Sequence, residues 1–419
     1  MRHLSFPNGI TRRNLVEWFR QGRARTREVF AVPKADAYYD RPIKLRNPIV
    51  FYEGHLPAFA VNTLLKLTLK EPGVDADYEV LFERGIDPES EDSAKPTSDL
   101  WPARRDVQAY GTEADARIER ALCSGDIDRH DGEAAIAILE HEQMHQETLL
   151  YMFHEMAYGR KNPRPPFHPS RRVAGGGWRV GEPVARIPAG LATLGASDHF
   201  AWDNELPAHQ VEVPAFEVDR YSVTNGDYLE FVRATGADPS HFWAHLGGDW
   251  YWRGMFELTP LPLEAPVYAT EEQASAYAQW RGKRLMSEAE YHRAAFGTPS
   301  GEERLYPWGD EPPDSTRGNF GFANWDPVAV GSYPAGASAW GVHDLVGNGW
   351  EWTSTPFHGF KGFKPMVSYQ NYSVDFFDGQ HFVLKGGSPA TAPELVRRSF
   401  RNWFRGNYPY VYAKFRCAV

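Results

Sequence analysis

The sequence HEQMHQE at residues 141–147 decides how the first part of the chain folds and what it can bind. It lies inside an apolar, helix-patterned run from residue 134 to residue 158. His141 and His145 are four residues apart, so a helix brings both imidazoles to one face, about one turn apart. Two imidazoles in this arrangement form half of a metal site. A surface helix can carry the same spacing without a metal, so any further ligand must come from elsewhere in the chain.

Three further segments before residue 160 carry helical patterns. They cover residues 11–31, 49–66 and 104–123. Together with the histidine-bearing run they predict an antiparallel four-helix bundle whose metal ligands project inward from facing helices. His55, beside Gly54 on the second helix, is the candidate for a third ligand. A lone histidine on an apolar helix can equally be a core residue, and Pro57 predicts a kink in the same helix.

Composition excludes several classes of protein. The 419 residues are enough for two or three domains, and the net charge of −10 argues against general nucleic-acid binding. The sequence has no apolar run that could span a bilayer and no signal-peptide core, so we expect a cytoplasmic protein without a membrane partner. The two cysteines, Cys123 and Cys417, argue against a disulfide framework or a Cys-rich zinc site, and we interpret both as buried apolar groups.

The sequence pattern changes between residues 160 and 180, a Pro- and Gly-rich stretch typical of an inter-domain linker. Of the 14 tryptophans, 12 follow residue 170, and short runs broken by Gly, Pro, Asn and Asp replace the long helices. Helices are predicted at residues 225–235 and at residues 271–282, the latter continuing after Lys283–Leu285 into residues 287–296. We therefore predict a helical domain over residues 1–165 and an α+β domain over residues 166–419.

Motifs of the second part, in chain order, are similar to those of formylglycine-generating-enzyme-like domains. They are GKRLMSEAEY at 282–291, YPWGD at 306–310, DLVGNGWEWT at 344–353, LKGGS at 384–388 and FRCA at 415–418. The resemblance implies a C-type-lectin-like fold in which most motif residues are structural, with glycines in tight turns and tryptophans in the core. The oxidising cysteine pair of formylglycine-generating enzymes has no counterpart here, so that activity is not expected.

The two parts together resemble the ergothioneine and ovothiol sulfoxide synthases, non-haem iron enzymes that join a chalcogen atom to the imidazole ring of histidine derivatives. The heptad at 141–147 resembles their H-E-x-x-H-x-E element, and His55 resembles their bundle histidine. The resemblance implies a DinB-like bundle that binds Fe(II) through His55, His141 and His145. Three neutral imidazoles leave up to three positions of an octahedral ion for the chalcogen donor, the substrate imidazole and O₂.

The same resemblance implies roles for residues outside the histidine cluster. Tyr372 would protonate or hydrogen-bond the reduced oxygen species. Asn402 and Trp403 would orient trimethylhistidine (hercynine), with Trp403 contributing a cation–π contact of ~1–2 kcal/mol. Met144 replaces a glutamine that the family has before its second metal histidine, and is grouped with the substrate-binding residues. Core packing is the alternative role for Tyr372 and Trp403.

The chain departs from the ergothioneine synthases where those enzymes bind the carboxylates of γ-glutamylcysteine. Residues 82–92 match the family's basic element but hold one arginine, Arg84, and several acids, and Phe404 follows Trp403 where the family has an acid. A donor with little charge suits this pattern. The sequence therefore favours carbon–selenium bond formation from a selenosugar, as in selenoneine synthases, with ergothioneine-type carbon–sulfur bond formation from a thiol as the alternative.

Two other classes stay open from the sequence. The H-E-x-x-H spacing also occurs in zinc metallopeptidases, where Glu142 would act as the general base, although the metzincin continuation is missing. A non-catalytic binding module with a structural metal is the second. Iron with substrate-dependent O₂ uptake would support the synthase, whereas zinc with peptide cleavage would support the peptidase.

Overall fold

The computed structural model of the chain describes residues 14–83, 101–124, 127, 132–163 and 183–419. The chain forms two compact units, which are described separately. The first unit contains Met1–Pro165, Asp198–Phe200 and Val367–Tyr369, and the second contains Pro166–Ser197, Ala201–Met366 and Gln370–Val419. The sequence-predicted boundary near residue 165, the linker that follows it, and residues 84–92 of the altered donor element lie outside the described residues.

The described part of the first unit is helical. Its helices are α1 (Leu15–Val29), α2 (Ile49–Ala60), α3 (Ala76–Leu81), α4 (Arg104–Ser124) and α5 (Glu133–His154). Helix α1 packs against α5, and α2 packs against both α4 and α5. Each of the four helices expected from the sequence is therefore present.

Helix α3 lies outside the four helical segments predicted from the sequence. Asp75 starts it: the Asp75 carboxylate accepts hydrogen bonds from the backbone N–H groups of Asp77 and Tyr78, both at 3.0 Å. This is a standard N-cap, which stabilises a helix by about 0.5–2 kcal/mol. The short helix ends just before Phe82, whose backbone becomes important at the candidate site.

Helix α2 changes geometry after Pro57. The helix continues past the proline, and from Val61 to Leu69 its backbone widens into a π-helix. Proline lacks the N–H that would bond the preceding turn, so a change in hydrogen-bond register nearby is a physical response to it. The kink predicted at Pro57 thus takes the form of a wider helical segment, and His55 lies on the regular turns before it.

The second unit is built from short strands around three helices. Two four-stranded sheets have the orders β1-β4-β13-β8 and β11-β10-β9-β12, accompanied by the hairpin β2-β3 and the three-stranded sheet β5-β6-β7. The strands are β1 (Val184–Ile187), β2 (Gly190–Leu194), β3 (His209–Val213), β4 (Phe216–Asp219), β5 (Trp243–Leu246), β6 (Asp249–Arg253), β7 (Leu258–Pro260), β8 (Arg284–Leu285), β9 (Trp350–Pro356), β10 (His381–Lys385), β11 (Asn402–Arg405), β12 (Ala413–Lys414) and β13 (Cys417–Ala418).

The helices of the second unit are α6 (Asn225–Thr235), α7 (Glu271–Trp280) and α8 (Glu288–Phe296). The helical pattern predicted over residues 271–282, continuing after residues 283–285 into 287–296, is present as two separate helices, α7 and α8. Gly282 takes a left-handed backbone with φ of 68°, and strand β8 follows it and pairs with β13. Ser287 then caps α8 through a capping box with Glu290, which restarts the helix.

A hydrophobic core lies between the first four-stranded sheet and α8. It includes Ile187, Val218, Tyr291, Ala294 and Leu345, all nearly inaccessible to solvent. Cys417 is buried as predicted, whereas the prediction for Cys123 was wrong: Cys123 is exposed near the end of α4, where Ala121 and Leu122 face inward instead. Among the described residues, no helix is long and apolar enough to cross a membrane.

Candidate metal centre

Helix α5 presents two histidines to a common point. The Nε2 atoms of His141 and His145 lie 3.1 Å apart, as expected for residues one helical turn apart on the same face. His141 is buried and His145 is half-buried. Two ring nitrogens this close favour either a shared proton or a shared cation between them.

His55 on α2 completes a group of three. The candidate ligand atoms of His55, His141 and His145 all lie within 4.8 Å of one another. A transition-metal ion with imidazole nitrogens at about 2.0–2.2 Å holds those nitrogens roughly 3–4 Å apart, so the three side chains fit such an ion with little movement. Three nitrogen ligands and no thiolate suit Fe(II), Zn(II) or another borderline divalent ion.

One nitrogen of His55 is already assigned to the protein. The Nδ1 of His55 lies 2.8 Å from the backbone carbonyl oxygen of Phe82, to which it donates as Nδ1–H. This tautomer leaves the Nε2 lone pair for a metal ion. A metal-binding histidine whose other nitrogen donates to a carbonyl is the usual arrangement, because the bond fixes the tautomer and the orientation of the ring.

Aromatic rings of α2 surround the three imidazoles. The ring of Phe59 stacks on that of His141, with centroids 3.6 Å apart and planes 11° apart. Phe51 stacks on His55 at 5.0 Å, and the Tyr52 ring lies 5.7 Å from that of His145. These rings pack against the imidazoles and hold them in place.

Glu142 faces away from the histidine cluster, towards α1. The Glu142 carboxylate accepts hydrogen bonds from Thr26 Oγ1 at 2.5 Å and from Arg23 at 3.1 Å. Burial raises the pKa of Glu142, and the Arg23 charge and the Thr26 bond only partly offset it. A metallopeptidase needs this glutamate beside the metal-bound water, so the contacts with α1 argue against the peptidase alternative.

Breaking the contact between Arg23 on α1 and Glu142 on α5 is expected to lower the free energy of unfolding. Arg23→Met leaves the Glu142 carboxylate buried without its cation, which destabilises by about 3–5 kcal/mol when a buried pair loses one partner. The matched control on the same helix is Arg20→Met, since Arg20 pairs with Glu119 at the surface and contributes little. Urea unfolding of both variants measures the difference, and equal unfolding midpoints would contradict the structural role of Arg23.

Tyr369 is a candidate that the sequence interpretation missed. It belongs to the Val367–Tyr369 segment of the first unit. Its ring centroid lies 5.2 Å from that of Phe59 and 6.2 Å from that of His141. Ser368 fixes the segment, because its backbone N–H and its hydroxyl both donate to the Glu133 carboxylate at the start of α5. The available signal was a second tyrosine three residues before the predicted Tyr372.

The predicted residues of the second unit lie together. Tyr372 is buried, its ring 4.2 Å from that of Trp202 and 5.2 Å from that of Trp403. Trp403, on strand β11, stacks face to face on Phe357 at 4.3 Å. The neighbouring Asn402 accepts a hydrogen bond from the Trp403 N–H through its own side-chain oxygen. These contacts make an aromatic cluster of Tyr372 and Trp403 with Asn402 beside it.

Two further predicted positions have simple surroundings. Met144 is half-buried on α5, directly before His145 and about 100° around the helix from it. Phe404 lies on β11 after Trp403, and its ring stacks on Tyr408 at 5.1 Å. Phe404 and Tyr408 therefore form an aromatic pair at the position where the resemblance to ergothioneine synthases implies a carboxylate.

Comparisons with known proteins agree with the motifs. A family model described as sulfatase-modifying factor enzyme 1-like domain matches residues 179–419. Hercynine oxygenase of Mycobacterium tuberculosis is 39% identical over 239 residues, which cover 52% of this chain and 55% of that protein. Ergothioneine biosynthesis protein 1 of Schizosaccharomyces pombe is 30% identical over 418 residues, which cover 90% of this chain and 52% of the relative.

The formylglycine-generating enzyme of M. tuberculosis is 30% identical over 269 residues, covering 51% of this chain and 88% of that enzyme. The chain thus spans only about half the length of the hercynine oxygenase and of the ergothioneine biosynthesis protein. These similarities confirm the resemblance to sulfoxide synthases and the formylglycine-generating-enzyme-like domain in the C-terminal half. They do not extend to the DinB-like assignment of the helical unit, which stays a prediction.

Proposed function

The chain belongs to the sulfatase-modifying factor enzyme 1-like family, and from that premise we propose that it is a non-haem Fe(II), O₂-dependent enzyme. It would join a chalcogen atom to C2 of the imidazole ring of hercynine. The observation that carries the proposal is the cluster of His55, His141 and His145 in the helical first unit. The relatives named hercynine oxygenase and ergothioneine biosynthesis protein 1 support the same chemistry.

The reaction balances with O₂ as the oxidant. For a thiol donor, the C2–H and S–H bonds break, a C–S bond and an S–O bond form, and the second oxygen atom leaves as water. Four electrons pass to O₂, two from forming the C–S bond and two from oxidising sulfur to the sulfoxide. When bound, the iron would supply the site at which O₂ and the soft donor react.

The protein's own residues would hold the ligands and move protons. Phe51, Tyr52 and Phe59 pack against the imidazoles and would keep their rings in position. Reduction of O₂ consumes protons, and a phenol hydroxyl is a suitable donor at neutral pH. Tyr372 is the donor predicted from the sequence, and Tyr369 is the second candidate because its ring lies beside those of Phe59 and His141.

Of the two tyrosines, we expect Tyr369→Phe to have the larger effect on turnover. Loss of a general acid lowers kcat by roughly 10²- to 10⁴-fold, whereas Tyr372→Phe keeps the ring contacts with Trp202 and Trp403 and is expected to lower kcat less. Single-turnover kinetics with both variants, each loaded with Fe(II), provide the comparison. A Tyr369→Phe enzyme with wild-type kcat would assign the proton to Tyr372, as the sequence predicted.

Residues of the second unit are the candidates for binding the trimethylammonium group of hercynine. The trimethylammonium group suits the aromatic cluster of Tyr372 and Trp403, and Asn402 offers a polar side chain beside it. Trp403→Leu is therefore expected to raise KM for hercynine more than it lowers kcat.

The identity of the donor separates two versions of the function. The names of the relatives favour a thiol donor and ergothioneine-type sulfoxide synthesis over the selenium preference drawn from the sequence. One observation favours a selenosugar as a second candidate. Phe404, stacked on Tyr408, leaves an aromatic surface where a carboxylate would bind the ammonium group of an amino-acid thiol.

A competition assay decides between the donors. The Fe(II)-loaded enzyme is given hercynine with γ-glutamylcysteine, cysteine and a selenosugar together, and the products are identified by mass. A sulfoxide product alone supports the thiol version, and a selenium product alone supports the second candidate. Hercynine recovered unchanged with all three donors would overturn the proposed function.

A further inference from the structure

We propose that Gly54 and Phe82 form a positioning pair for His55, fixing which of its nitrogens faces the cluster. The inference rests on the proposed metal site and deepens it. Neither residue offers a ligand atom. Their effect would pass through the Phe82 carbonyl oxygen, which accepts the Nδ1–H of His55 at 2.8 Å.

The Phe82 carbonyl oxygen can act as a fixed acceptor because the residue itself is held firmly. Its side chain is fully buried. The ring stacks against Trp101, with centroids 6.1 Å apart and planes 20° apart, and meets the edge of Tyr78 at 5.6 Å. The Phe82 N–H also closes the last turn of α3 by donating to the Tyr78 carbonyl. Three separate contacts therefore set the direction of its backbone.

Gly54 explains how Phe82 comes so close to α2. A Cβ atom placed at Gly54 would lie 2.5 Å from three atoms of the Phe82 ring, well inside contact distance. Glycine inside a helix costs about 0.5–1 kcal/mol relative to alanine, so a close approach is the physical reason for one here. Gly54, the residue next to His55, therefore leaves room for the Phe82 ring, and the backbone carbonyl of Phe82 orients His55.

The bond to Phe82 has a defined consequence for a metal. With Nδ1–H donated to the carbonyl, Nε2 is the nitrogen that can bind an ion, and the plane of the ring is fixed, so less ordering is needed when an ion binds. Loss of such a hydrogen bond typically weakens metal binding by roughly 10- to 100-fold. The carbonyl comes from the backbone, so a side-chain substitution at Phe82 alone cannot remove it and the bond must be displaced sterically.

Gly54→Ala provides that displacement, with Gly111→Ala as the matched control. Both are helical glycines, but a Cβ at Gly111 would meet its nearest neighbour, Pro57, at an ordinary 3.8 Å. Anaerobic titration with Fe(II) alone, in competition with a chelator, gives Kd for each variant. We expect Gly54→Ala to bind Fe(II) about 10- to 100-fold more weakly and Gly111→Ala to match the wild type.

A second substitution distinguishes positioning from general damage. In Gly54→Ala/Phe82→Leu the shorter side chain makes room for the new methyl group while the backbone carbonyl remains. We expect this double variant to recover Fe(II) affinity, although the smaller core residue lowers its thermal stability. Recovery of stability without recovery of affinity would overturn the proposal.

A measurement on the wild type covers the case in which Gly54→Ala does not fold. Nitrogen NMR of ¹⁵N-histidine-labelled, Zn²⁺-loaded protein reports the tautomer of each ring, and His55 is expected as Nδ1–H with Nε2 on the metal. The opposite tautomer at His55 would overturn the positioning proposal. Failure of the wild type to bind any metal would instead overturn the proposed function, so the two failures are distinguishable.

Discussion

His141→Ala is expected to abolish Fe(II) binding and hercynine-dependent O₂ uptake together. His141 supplies one of three nitrogens gathered within 4.8 Å, and its Nε2 lies 3.1 Å from that of His145. Loss of a ligand removes more than the roughly 10- to 100-fold that loss of a supporting hydrogen bond removes. Inductively coupled plasma analysis of the reconstituted protein, with an oxygen electrode, measures both quantities.

His154→Ala is the matched control for the loss of His141. His154 is also a buried histidine of α5, but it lies at the end of the helix, outside the cluster. Its variant is expected to keep its iron. Tryptophan fluorescence checks that the second unit stays folded in both variants, because 12 of the 14 tryptophans follow residue 170. A His141→Ala protein with full iron content would contradict the site assignment.

Glu351→Gln is expected to destabilise the second unit by about 3–5 kcal/mol, the usual cost of removing one partner from a buried ion pair. Glu351 lies in the WEW motif on β9 and accepts hydrogen bonds from Lys414 Nζ at 2.6 Å and from Arg416 Nε at 2.9 Å. All three side chains are fully buried. The neutral amide would leave two buried cations without a counter-charge. The expected loss is a large fraction of a typical domain's stability.

The loss of folding stability caused by Glu351→Gln is expected to depend on pH. Burial raises the pKa of Glu351, but the charges of Arg416 and Lys414 outweigh burial and hold the pKa below its usual value. A carboxyl group with a lowered pKa stabilises the folded state above its unfolded pKa of about 4.3, and this contribution is lost as the pH falls through the lower folded pKa. The stability gap between wild type and Glu351→Gln should therefore narrow in acid.

Glu217→Gln serves as the control for Glu351→Gln, since Glu217 forms an exposed pair with Arg186 in the same unit. Guanidinium unfolding of the three proteins at pH 7 and pH 4 measures the differences. A Glu351→Gln protein as stable as Glu217→Gln at pH 7 would show that the motif glutamate has no structural role.

Much of the fold could be predicted because local patterns and tertiary structure agree. The periodicity of residues 141–147 and the surrounding run gave the correct helix and the correct shared face for its histidines. The motifs of the second part were interpreted as structural, and Glu351 and Asn348 show why. Asn348 has φ of 61° and its side chain bonds Asn319 and the Val328 backbone, so turn geometry and hydrogen bonding both depend on it.

Other features depend on contacts between distant segments and left no periodic signal. Residue 142 is adjacent to His141, yet it lies about 100° around the helix, and only the position of Arg23 determines what it contacts. Strand β8, which separates α7 from α8, pairs with β13, more than a hundred residues later. Tyr369 is beside His141 because Ser368 bonds Glu133, a contact across 235 residues.

These contacts argue on separate grounds against the two alternative functions, a zinc metallopeptidase and a non-catalytic binding module. The peptidase alternative required a free Glu142 at the metal, and the bonds to Arg23 and Thr26 argue against it. A non-catalytic binding module would need no open positions on its metal and no nearby proton donor. The aromatic surroundings of the histidines, with Tyr369 beside them, favour an enzyme over a structural metal site.

The most direct test of the proposed iron-dependent function measures bound metal and O₂ uptake in the same sample. The protein is loaded anaerobically with Fe(II), freed of excess metal, and given O₂ with hercynine and a chalcogen donor. We expect a single Fe(II) ion per chain and O₂ uptake that requires both substrates. The amount of O₂ consumed should equal the amount of product formed. Preferred binding of zinc with no substrate-dependent O₂ uptake would contradict it.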